Sequence, residues 1–353
     1  MSALAGAAMF SRWRRLGKAD RGRVWWLYGW FSGLMMCGSF VGVVAWVAKL
    51  MFLGNSYKAI AIQDPVQRTS MLAVGYSWHS VYTVTYAAEF LCLSAAKLMV
   101  LDRLSLFAVP QGSRWQKQLA AAGRIVMAAV VLGNAVGLVA NVAAAVYYQK
   151  SAEAMSAASA YYAYNDTINA DRSRNEVAKD EWQSAGSIAS VQSFCEVVVL
   201  LLIVIAFVIC GFLSARRVSS LLLAVDAAST PAVMGRALRL QMVGVTAFVF
   251  VTFVVRSVFS TMYAVVNQLR EYNKQSCGRA NMCSECYNVF THIEQWMFYT
   301  PEFQSTIVLI SSPLALLVAL WGMTSKHTLQ LMKSTTLAVD RPLLGVAAAS
   351  NAL

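Results

Sequence analysis

The stretch VVVLLLIVIAFVICGFLSA, residues 197–215, runs for 19 positions without a charge. A helix needs about 20 apolar residues to cross the hydrocarbon layer of a bilayer. That layer holds no water to satisfy backbone N–H and C=O groups, so a stretch of this kind has to be helical. Working outward, the signature recurs at 24–48, 69–88 and 125–149 before it, and at 240–269 and 303–325 after it; of these, only 240–269 is interrupted, by Arg256. The predicted spans are 24–53, 70–101, 118–149, 190–214, 240–266 and 302–325. The fold class is therefore all-α: a polytopic transmembrane bundle of six spans, with a tail at 1–23 and another at 326–353. Composition agrees, with 58% hydrophobic and 13% charged residues and a mean hydropathy of +0.54.

The net charge of +12 would suit a nucleic-acid partner, but the charges are placed otherwise. Segments 1–23, 102–124, 215–239 and 326–353 alternate with the spans on one side. They hold 17 of the 29 Lys and Arg residues and only four of the 17 acids. Basic loops stay in the cytoplasm, so both termini are expected there. The charge is read as topogenic, the partner as the lipid bilayer and not a nucleic acid, and the location as the plasma membrane or an endomembrane of a eukaryote. Trp25, Trp26, Tyr28 and Trp30 follow the basic N-terminal tail, where an aromatic belt belongs.

Two segments elaborate the opposite, extracytoplasmic side. Residues 150–189 are polar, rich in Ala and Ser and free of proline, and are expected to form a protruding helical hairpin between spans 3 and 4. Its turn falls near Asn165-Asp166-Thr167, a sequon that makes Asn165 a candidate glycosylation site. The loop at 271–301 holds Cys277, Cys283 and Cys286. Outside the membrane, this cluster points to one disulfide with one thiol left over. With His292 the spacing also matches a Cys3His zinc site, an arrangement that needs a reducing compartment. The disulfide is the preferred expectation, and no metal or cofactor is expected. Cys37, Cys92, Cys195 and Cys210 lie in or beside spans and act as small apolar residues.

Within the membrane, span 2 is unusual. His79, Tyr82, Tyr86, Glu89, Leu93 and Lys97 follow steps of three and four and share one helix face. Such a face has to meet the bundle interior or a wet cavity. It either lines a ligand pocket or ion path (His79, Tyr82, Tyr86, Glu89) or forms a seam of interhelical hydrogen bonds. Glu89, Glu196 and Arg256 are too deep to snorkel easily, and each costs about 2.5–3.5 kcal/mol unless paired. Arg256 is about 15 Å and Glu196 about 9 Å from the outer ends of their spans, so these two form the expected intramembrane ion pair. Lys49 and Lys97 are nearer span ends and are expected to snorkel.

Gly38-x-x-x-Gly42 and Gly133-x-x-x-Gly137, with Asn134 and Asn141, read as close helix contacts within the bundle. The same motifs leave a homo-oligomer open. Arg216-Arg217-Val218-Ser219 makes Ser219 a candidate phosphorylation site. Thr230 and Pro231 read as the cap and first residue of a short helix leading into span 5. No phosphate-binding loop, nucleophile elbow or metalloprotease motif occurs, so catalytic residues are not expected. The leading expectation is a receptor-like or sensory surface protein with a polar pocket lined by span 2, taking a small-molecule or protein ligand on its outer face. The alternatives are a channel or transporter using Glu89, Glu196 and Arg256, and a non-catalytic membrane scaffold.

Overall fold

The computed structural model describes residues 18–108, 114–164, 168–223, 230–276, 292–293, 296 and 306–307. Five long helices make up nearly all of it: α1 (Lys18–Ala61), α2 (Pro65–Ala108), α3 (Arg114–Tyr164), α4 (Ile168–Leu223) and α5 (Thr230–Ser276). No strand occurs among the described residues. Each helix contains a segment long and apolar enough to cross a membrane, from Gly29–Ala61 in α1 to Val243–Val266 in α5. The chain has the architecture of an integral membrane protein.

Proline placement explains why the helices run so long. A proline inside a helix removes a hydrogen bond and clashes with the preceding turn, whereas the first turn tolerates it. Pro65 opens α2, Pro231 is the second residue of α5, and Pro110 falls in the connection between α2 and α3. The start of α2 is capped by Asp64, whose Oδ1 accepts from the Val66 N–H at 3.0 Å and whose carbonyl accepts from the Arg68 N–H at 2.9 Å. The helix starting at Thr230 continues unbroken to Ser276, so no separate short helix precedes span 5.

The predicted sixth span lies outside the described residues, except for Thr306 and Ile307. Ile307 and Ile293 pack against Phe259 and Val266 of α5. Most of the N-terminal tail, Asn165, the cysteines Cys277, Cys283 and Cys286, and the C-terminal tail are likewise outside the described residues.

Sequential helices pack side by side, and α2 also meets α4, which places α2 and α4 at the centre. Glycines set the spacing. A Cβ on Gly38 would stand 3.2 Å from Cys92 Cβ, and one on Gly133 would stand 2.7 Å from Val199 Cγ2. Both GxxxG motifs therefore face neighbouring helices inside the bundle, α1 against α2 and α3 against α4. Asn141 Nδ2 donates to the Thr83 carbonyl at 3.1 Å, and Ser80 Oγ to the Ala145 carbonyl at 2.8 Å, tying α3 to α2. Ser151 Oγ donates to the Ala178 carbonyl at 2.6 Å and joins α3 to α4 towards the 165–167 connection. Phe40, Leu132, Phe212 and Val251 are exposed on the outer faces, where lipid would lie.

Candidate functional site

The site is built where α2, α4 and α5 converge. Arg256 of α5 and Glu196 of α4 are both buried, at 2% relative exposure each. Arg256 Nε donates to Glu196 Oε1 at 2.8 Å, and its Nη2 stands 2.7 Å from the same oxygen. Ser260 Oγ adds a third donor to Oε1 at 3.0 Å. Tyr86 of α2 closes the group: its hydroxyl donates to Glu196 Oε2 at 3.1 Å and accepts from Arg256 Nη2 at 2.8 Å. A guanidinium cannot shed its charge, so a buried arginine needs this kind of counter-ion. Arg256 Nη1 has no hydrogen-bond partner among the described residues, and the guanidinium lies about 6 Å from the Tyr86 and Phe90 ring centres.

Beside this cluster is a cavity of about 40 Å³. Its walls come from four helices: His79, Tyr82, Thr83 and Tyr86 of α2; Asn141 and Tyr148 of α3; Gln192, Ser193 and Glu196 of α4; Phe259, Ser260 and Tyr263 of α5. Most of these side chains carry a polar atom. A cavity needs about 10–15 Å³ to admit one water, and organic ligands occupy about 300–1,000 Å³. By the first measure the space admits a few waters or a small ion.

Aromatic rings gather around His79, Tyr82 and Tyr148 of the cavity wall. The His79 imidazole is surrounded by Phe52 at 4.5 Å, Tyr148 at 4.6 Å, Trp182 at 5.1 Å and Tyr82 at 5.6 Å between ring centres. Tyr76 stacks on Trp182 at 4.1 Å. Lys49 reaches into the same group, with Nζ 5.1 Å from the Tyr82 ring centre and 5.4 Å from that of Phe52.

The predicted polar face of span 2 is thus divided. His79, Tyr82 and Tyr86 line the cavity, but Glu89 turns towards α1, where its carboxyl carbon stands 2.8 Å from the place a Cβ on Gly42 would occupy. The expectation that Lys49 and Lys97 snorkel is corrected: both are buried, at 1% and 0% exposure. Lys97 Nζ lies over the Phe253 ring at 4.7 Å. The helices continue well past the predicted span ends, to Ala61 and Ala108, which carries both ammonium groups inside. Ser219 sits within α4, and its hydroxyl donates to the Ala215 carbonyl at 2.9 Å. Ser260, Gln192 and Ser193 were missed as site residues. Ser260 follows Arg256 by four positions and Gln192 precedes Glu196 by four, so helical spacing from the two charged anchors would have found both.

Among the described residues no three His, Cys, Asp or Glu side chains are grouped to hold a metal. The chain matches no protein-family model, no curated protein and no solved structure.

Proposed function

We propose that the protein is a channel or transporter for a small ion, with a path along the cavity-lining face of α2. One observation carries this reading: an intramembrane Glu196–Arg256 pair that borders a polar cavity of about 40 Å³. Ionisable groups inside a membrane bundle are rare and mark ion and proton paths. The small volume of the cavity supports this reading over the receptor-like one for this pocket. In this reading Tyr86 couples α2 to the charge pair, and the aromatic group around His79 forms the closure towards the 165–167 side. The sixth span, cytoplasmic termini, the outward hairpin and the absence of catalysis remain part of the proposal.

The receptor-like reading keeps one specific support. A groove of about 440 Å³ between α3 and α4, lined by Tyr147, Asp180, Gln183, Ser184, Ser187 and Ile188, is of ligand size. It lies on the arms leading to the 165–167 connection, away from the charge pair.

The test is flux in liposomes reconstituted with the purified protein under imposed gradients of protons, sodium, potassium and chloride. Flux of one ion above protein-free vesicles, altered by Tyr86→Phe at unchanged folded yield, is the expected result. Absence of flux for all four ions would leave the receptor-like reading as the better one.

A further inference from the structure

The two buried carboxylates of the bundle have opposite surroundings. Glu196 is held by Arg256, Tyr86 and Ser260, and both its oxygens accept hydrogen bonds. Protonating it would strip the guanidinium of its counter-ion. Glu89 is also buried, at 7% exposure, yet its Oε2 has no hydrogen-bond partner among the described residues. It rests in a notch on α1 that exists because position 42 is glycine. A Cβ there would meet the carboxylate oxygens at 2.9 and 3.1 Å.

The neighbours of the notch define what it can hold. On its own helix Glu89 is near Tyr86, Cys92 and Lys97; from α4 and α5 it is within electrostatic reach of Glu196 and Arg256. On α1, Cys37 lies beside Cys92, with their Sγ atoms 3.9 Å apart. Lys49, further along α1, faces the Phe52 and Tyr82 rings instead. A hard metal cation needs about six oxygen ligands, and the notch offers one carboxylate, a glycine and a thiol. A proton needs only the carboxylate.

We infer that Glu89 is a proton-exchange site. Its carboxylate accepts a proton from hydronium to give the acid and water, and returns it in the reverse step, while Glu196 keeps its charge. The inference rests on the small-ion reading above and deepens it by naming the ion. Among the described residues Cys37 is exposed and Cys92 partly exposed on the same helix seam.

The experiment is infrared difference spectroscopy of the full-length protein in lipid films, stepped between acidic and alkaline buffer. The expected result is a carbonyl band of a protonated carboxyl that appears on acidification. Glu89→Gln should abolish it, and Glu196→Gln should leave it in place. Labelling of the wild-type protein with dicyclohexylcarbodiimide, which adds to protonated carboxyls from the lipid phase, provides a measure without substitution. Peptide mass spectrometry should find the adduct on Glu89 and not on Glu196. A band unaffected by Glu89→Gln, or an adduct on Glu196 alone, overturns the inference. Proton flux separates the two proposals. A titrating Glu89 band without flux of any of the four ions retains the site and removes the transport reading; proton flux with no Glu89 band does the reverse.

Discussion

The two halves of the bundle are built on different principles. Towards the 109–113 connection the interior is a continuous apolar core: Phe31 and Met35 of α1, Phe90, Leu93 and Val100 of α2, Leu200 and Ile203 of α4, and Val249 and Phe253 of α5. Towards the 165–167 connection the interior is a network of hydroxyls, amides, rings and one ion pair around a small cavity. In a membrane, lipid tails are as apolar as leucine, so the apolar core associates by close packing, with Lys97 buried against Phe253 as its charged exception. The second half is held by directional bonds, each of which has to find its partner. Shape does most to fix one half of this bundle, and directional chemistry does most to fix the other.

The largest expected effect lies in the polar half. Arg256→Gln leaves Glu196 buried without its counter-ion, and losing one member of such a pair costs about 3–5 kcal/mol. Folded yield in detergent should fall sharply for either Arg256→Gln or Glu196→Gln. The double variant should recover more than the two single losses allow if added, because the residues share one bond network. Strict additivity would mean that the pair does not act as a unit.

Next comes the apolar half. Ile203→Ala empties part of a fully buried position and should cost at least about 2 kcal/mol in a thermal or denaturant unfolding measurement. If it costs more than Arg256→Gln, the ranking of the two halves is wrong. Gly133→Ala sets a Cβ 2.7 Å from Val199 Cγ2 and forces α3 and α4 apart, at a cost of about 1–3 kcal/mol. Val199→Ala should relieve part of that cost, which a double-mutant cycle would register. The smallest effect belongs to Asn141→Ala, which removes one interhelical hydrogen bond worth about 0.6 kcal/mol. A loss several times larger would show that Asn141 holds the cavity wall rather than a single contact.

Much of this arrangement was legible in the chain, and the failures have a common cause. Hydropathy picked out the five described helices because lipid leaves no other way to satisfy a backbone. Counting residues from span ends brought Glu196 within reach of Arg256 because helix rise is fixed at about 1.5 Å per residue; the two stand 2.7 Å apart. The same counting misjudged Lys49 and Lys97. It takes the predicted span ends at 53 and 101 for the ends of the helices, whereas α1 goes on to Ala61 and α2 to Ala108. Glu89 was grouped with Tyr86 because they are three positions apart. Three steps of 100° leave a 60° offset, enough for one residue to enter the cavity and the other to meet Gly42. No periodicity could reveal which neighbour would offer a glycine there.

The length of α3 has a mechanical consequence. Its 51 residues form an unbroken rod of about 76 Å, more than twice the thickness of the hydrocarbon layer. A rod pivoting within the bundle acts as a lever. A tilt of about 5° over that length shifts one end against the other by about 6–7 Å. Through the Ser151–Ala178 bond, α4 would be drawn along with such a tilt. Any such tilt would displace the end near Tyr164 in proportion to its distance from the pivot, while residues beside the pivot would barely move.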